Sequence, residues 1–174
     1  MTPRQVARGL VLPYADAEAY SQVYDLAAPA AGSNASLTVD GRWWMRVLAA
    51  RATLTTDANA ANRFFSLDFI NARGITYVRN AAGVVIPASQ TNQAFEWNAF
   101  RTVAEWATNT PFLLPLAPIF LEPGFVVQFT VDSIQATDAL TGIHLLVEQF
   151  PTGPRGEPKG VVDQRQEVPI FVTT

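Results

Sequence analysis

The stretch FVVQFTVDSI, Phe125 to Ile134, decides how the chain is read. Phe125, Val127, Phe129 and Val131 alternate with Val126, Gln128, Thr130 and Asp132. Period two is the repeat of a β-strand, whose successive side chains point to opposite faces, so the run reads as a strand with one buried face. Pro123-Gly124 immediately before it is a turn signal. A second turn is expected around Asp138 to Gly142. The run IHLLVEQF then sets Ile143, Leu145 and Val147 on one face and His144, Leu146 and Glu148 on the other.

Working outward, Asn62 to Ile70 alternates in the same way, with Phe65, Leu67 and Phe69 on one side and Ser66 and Asp68 on the other. WWMRVLAARATLT, Trp43 to Thr55, contains no Gly or Pro and lies between Asp40-Gly41 and Thr56-Asp57-Ala58-Asn59. Its Trp, Val and Thr favour a strand, while Ala49, Ala50 and Ala52 leave helix as the competitor. Gly74 opens a short strand, ITYVR. A turn at Asn80-Ala81-Ala82-Gly83 leads into VVI, which Pro87 stops. Residues 99–110 have mixed spacing and fit a short helix or a loop. Short strands recurring with turn chemistry between them predict an all-β chain. The expected fold is an antiparallel β-sandwich, jelly-roll-like, of about eight strands, with extended N- and C-terminal segments. Three zones follow: an irregular or partly helical N-terminal arm (1–35), the β domain (36–150) and an extended C-terminal arm (151–174).

Composition narrows the function. The chain has 174 residues, 49% hydrophobic and only 16% charged, with a net charge of −3. Average domains carry roughly 25% charge, so this surface is rich in uncharged polar groups. A net negative chain without a broad basic face is not expected to bind nucleic acid. With no cysteine, disulfides, thiolate catalysis and Cys-based zinc sites are excluded, and one histidine cannot supply a multi-His metal site. No apolar run reaches the ~20 residues that span a bilayer, and the N-terminus lacks a long apolar signal-peptide core. We expect no membrane association, no cofactor and no metal.

The chemistry-bearing residues read as structural. His144 is expected on a strand with no nucleophile motif, such as G-x-S-x-G, in the sequence to serve. Asp57, Asp68, Glu96, Glu105, Asp132, Asp138 and Glu148 are scattered, and spacing alone pairs none of them as a glycosidase would require. Asp57 to Asn62 superficially resembles an oxygen-rich calcium loop but lacks the closing Glu and the Gly of an EF-hand, so an Asx-capped turn explains it better. The chain is therefore expected not to be an enzyme. Arginine outnumbers lysine 11 to 1. Arg46, Arg51 and Arg63 lie in or beside strands, where they need carboxylate or carbonyl partners.

Trp43 and Trp44 are consecutive and so fall on opposite faces of their strand. One fills the core, and the other suits an interface. With Trp97 and Trp106 they could instead form a platform for stacking sugar rings. The segment PTGPRGEPKG, residues 151–160, carries three prolines and three glycines and reads as an extended arm. The apolar strip VPIFV beyond it, Val168 to Val172, must bury itself on its own sheet edge or on a neighbour's. The candidate interface residues are thus Trp43 and Trp44 on the domain, Pro154, Arg155 and Pro158 in the arm, and Val168, Ile170 and Phe171 in the strip.

Taken together, Ala50 to Ala58 (ARATLTTDA), Ala61 to Arg63, Pro123-Gly124 and a last domain strand carrying Glu148 resemble small virion proteins of tailed bacteriophages. The resemblance covers roughly residues 36–150. It implies a jelly-roll-like head decoration (cement) protein on the outer surface of the capsid, made in the host cytoplasm. Its implied partners are the major capsid protein and copies of itself, commonly as a trimer. The alternative it implies is a tail, baseplate or head-fibre component, there with a carbohydrate-binding jelly roll.

Overall fold

The alternation at 125–134 becomes a strand buried on the expected side: Val127 and Phe129 have no exposed surface and Val131 almost none. The computed structural model describes residues 20–98, 112–116 and 119–152. In chain order the strands are β1 (Tyr20–Leu26), β2 (Ala35–Thr38), β3 (Trp43–Thr55), β4 (Arg63–Ile70), β5 (Thr76–Ile86), β6 (Gln93–Asn98), β7 (Phe112–Pro115), β8 (Phe120–Leu121), β9 (Val126–Asp132) and β10 (Ala139–Pro151). No helix occurs among the described residues.

The strands form two sheets. The first runs β1-β10-β3-β6-β7, with β8 beside the start of β3, and the second runs β2-β9-β4-β5. All pairings are antiparallel except β6 with β7. Leaving out β7 and β8, the orders are 1-10-3-6 and 2-9-4-5. That is a chain folded as two Greek keys, the jelly roll. The roll has eight strands, the number expected, though not strand for strand. The additional short β7 and β8 lie within the connection from β6 to β9.

Packing follows the alternation. Phe65, Leu67 and Phe69 of β4, Val127, Phe129 and Val131 of β9, and Ile143, Leu145 and Val147 of β10 all enter the core. Phe65 is its aromatic centre, edge-on to Phe95 at 4.8 Å and to Trp97 at 5.2 Å. Each such contact adds about 0.5–1.5 kcal/mol beyond area burial. Trp97 on β6 also donates its indole N–H to the Asn80 carbonyl of β5, at 3.1 Å, so one side chain ties the two sheets together. Gly32, at φ +72°, lets the β1–β2 loop touch the β9–β10 turn. A Cβ there would lie 2.9 Å from the Ala136 Cα.

Three expectations need correction. The turn expected around Asp138 to Gly142 ends where β10 begins at Ala139, and Gly142, at φ +54°, sits at a bulge within that strand. Tyr20–Leu26, read as part of an irregular or helical arm, is a strand because seven consecutive residues pair with β10. The turn expected at Asn80–Gly83 is a bulge within one continuous strand. Phe64 faces Val85 and Ser66 faces Ala81, so the extra residues of β5 buckle out, helped by Gly83 at φ +67°. Trp43–Thr55 is a strand, which settles its competition with helix. The readings of 1–19, of 99–110 and of 153–174 fall outside the described residues.

Candidate interaction surface

Five of the carboxylates that sequence could not pair, Asp57, Asp68, Asp132, Asp138 and Glu148, are paired by arginines. Arg63 opens β4 with no exposed surface. Its Nε and Nη2 bind both oxygens of Asp138 at 2.9 Å, and Nη2 also binds Asp57 at 2.6 Å. Nη1 donates to the carbonyls of Asn59 and Ala61. All five guanidinium N–H donors are thereby used. Asp138 also accepts from the backbone N–H groups of Asp57 and Gln135. Burial alone would raise the Asp138 pKa; Arg63 and these two amides outweigh it and hold the carboxyl below the usual range. Asp57, held by the Thr137 hydroxyl first and then by Asn59 and Arg63, is likewise lowered. Its Oδ1 accepts the Asn59 N–H, the expected Asx turn. This network staples the β3–β4 loop to the β9–β10 turn.

On the outer face of the second sheet, Arg79 of β5 binds Asp68 at 2.9 Å and Asp132 at 3.1 Å, crossing β4 to reach β9. The strand register puts Ser66 and Thr130 between those carboxylates, beneath the guanidinium. That position accounts for their burial, and neither hydroxyl has a hydrogen-bond partner among the described residues. On the outer face of the first sheet, Arg46 of β3 binds Glu148 of β10 and lies over the Phe120 ring, 5.5 Å from its centre. His144 Nδ1 sits 2.5 Å from Asp25, joining β10 to β1. Arg51 is opposite Glu96 in the β3–β6 ladder, and both are buried. Ion pairs thus lace the sheets, and each described member has a structural partner.

The three described tryptophans do not form a strip. Trp97 is wholly buried, so a surface platform combining it with Trp43 or Trp44 is ruled out. Trp43 is half-buried and meets Tyr20 edge-on at 5.9 Å; Trp44 is half-buried on the opposite side of β3. Trp106, Pro154, Arg155, Pro158, Val168, Ile170 and Phe171 lie outside the described residues.

What the described surface offers is an apolar flank. In one direction the sandwich ends at β1 and β2, and in the other at β5 and β7, which approach each other. Of the eight large apolar side chains exposed among the described residues, six lie on the β5 side: Phe64, Ile75, Tyr77, Val85, Phe112 and Leu113. Tyr77 is 67% exposed, and Phe64 and Val85 face each other across β4 and β5 at 45% and 50%. Clustered exposure of this kind marks surfaces that meet other macromolecules.

No family model, curated protein or solved structure matches this chain.

The flank was readable in part. In RFFSLDFI, Phe64 is out of phase with Phe65, Leu67 and Phe69, so the pattern that buries those three pushes it outward. Ile75 and Tyr77 gave no such signal, because the β4–β5 turn and the β5 bulge break the alternation that would assign their faces.

Proposed function

We propose that this chain is a structural virion protein of a tailed bacteriophage: a decoration subunit that binds the assembled head lattice from outside and stabilises it. The observation that carries the reading is the apolar flank at β4, β5 and β7 on a jelly-roll body. The jelly roll is a scaffold used by viral capsid proteins, though also by lectins and cupins. Among the described residues most ion pairs join strands or the loops between them, which leaves broad apolar and uncharged polar surface for docking. A ligand that binds only the assembled lattice shifts the equilibrium away from disassembly, and the gain grows with occupancy. Copies of the chain associate as a trimer, whose closed symmetry repeats one contact around the axis. The major capsid protein is the second partner.

The test is co-sedimentation of the purified chain with empty heads of its phage, alongside its mass by light scattering. Pelleting with heads at saturable stoichiometry, and a mass of three chains, is the expected outcome. A monomer left in the supernatant at every concentration rejects the decoration reading.

A further inference from the structure

We propose that the outer face of the second sheet carries a binding site for a neutral sugar ring, between Phe64 and Arg79. The inference does not rest on the head-binding reading. It begins with the strand register. On that face Phe64 stands beside Asp132, Ser66 stands between Thr130 and Ala81, and Asp68 stands beside Arg79. The middle row is made of small side chains and the rows flanking it of larger ones, so the face forms a shallow trough. Arg79 crosses the trough. Its Nε and Nη2 hold the buried Asp68, and its Nη1 reaches over to Asp132.

Two observations point to a ligand. Ser66 Oγ and Thr130 Oγ1, on the floor of the trough, are buried and lack a hydrogen-bond partner among the described residues. Burying a hydroxyl unpaired costs free energy, and Ala and Val would fill the same space without that cost. Two such hydroxyls side by side therefore serve something other than packing. The second observation is that their cover is lightly fastened. Arg79 and Asp132 are each nearly half-exposed, and an exposed ion pair contributes little. The guanidinium can pivot off Asp132 while staying paired with the buried Asp68.

The groups so uncovered select the ligand. Two carboxylates stand against one guanidinium, and that balance disfavours an anion. A buried hydroxyl both donates and accepts, which an ammonium cannot match because it only donates. A sugar hydroxyl does both. With the guanidinium turned aside, Nη1 of Arg79 donates from one wall of the trough and the Asp132 carboxylate accepts from the other, a pairing that suits neighbouring hydroxyls of one ring. Phe64, next to Asp132 and partly exposed, offers an apolar surface to the C–H side of that ring. An apolar surface with a few convergent polar groups is the usual make-up of a small-molecule site. The site shares Phe64 with the apolar flank and is otherwise polar.

The test is a titration of the isotope-labelled full-length chain with methyl glycosides of glucose, galactose, mannose and N-acetylglucosamine, followed by amide shifts. Methyl glucuronide serves as the anionic control. We expect at least one neutral glycoside to give saturable shifts centred on β4 and β9, around Ser66 and Thr130. Thr130→Val and Asp132→Asn should each weaken that binding tenfold or more. Thr130→Val keeps the shape of the side chain and removes an unpaired hydroxyl, so its melting temperature should equal or exceed the parent's. A threonine with a structural role alone would leave binding untouched. Saturable binding of no neutral glycoside overturns the site. So does binding that Thr130→Val and Asp132→Asn leave within twofold of the parent, or binding of the glucuronide that is tighter than that of every neutral glycoside.

Discussion

Arg63 has no exposed surface and no spare donor. Arg63→Ala leaves Asp138 buried without its counter-charge, and breaking a buried pair from one side typically costs about 3–5 kcal/mol. A urea midpoint shift of that size, at unchanged slope, is the expected outcome. Acid should weaken the same network. Asp138 and Asp57 titrate below their ordinary value in the folded chain. Their contribution is therefore complete above the unfolded carboxyl pKa, about 3.9, and is lost as pH falls through it toward the folded value. Urea midpoints measured from about pH 5 down to about pH 3 should fall, and Asp138→Asn, already weaker at neutral pH, should show a shallower fall. An equally steep fall in the variant would put the acid sensitivity elsewhere.

At the scale of elements, Trp97 lets β6 grip β5 across the core. Trp97→Phe keeps a ring at the centre of the aromatic cluster but strands the Asn80 carbonyl and opens space. Losing a buried hydrogen-bond partner costs about 1–3 kcal/mol. Thermal unfolding should report that loss, and a melting temperature equal to the parent's would show that the sheets do not rely on this tie. The strands that sequence resolved best, β4, β9 and β10, are those with one face in the core and one outside, because that asymmetry writes the alternation. β5 was misread because its bulge interrupts the pattern, and β1 because YSQVYDL at a sheet edge is mostly exposed and turns only Tyr24 and Leu26 toward the core. The Arg63 staple was half visible. Asp57 to Asn62 reads as an Asx turn and Arg63 beside it as in need of a partner, but Asp138 lies 75 residues from Arg63, and only the closed fold brings it there.

For the molecule as a whole, the flank and the ion-pair laces do different work, and substitutions should separate them. Val85→Asp or Phe64→Asp should leave the melting temperature within a few degrees of the parent while lowering head binding tenfold or more. Val23→Asp, on the opposite flank, should bind as the parent does. Equal binding by all three would move the contact off β4 and β5. The strand order carries a further consequence, one of timing. β10 lies between β1 and β3, and Gln149 bonds Tyr24 from 125 residues away. Until β10 inserts, β1 has no partner and β3 has one bare side. Topologies dominated by such distant pairings fold in milliseconds to seconds rather than microseconds. During that interval the half-made first sheet is the chain's most adhesive state, so yield on refolding should depend on protein concentration more steeply than the stability of the finished roll would suggest.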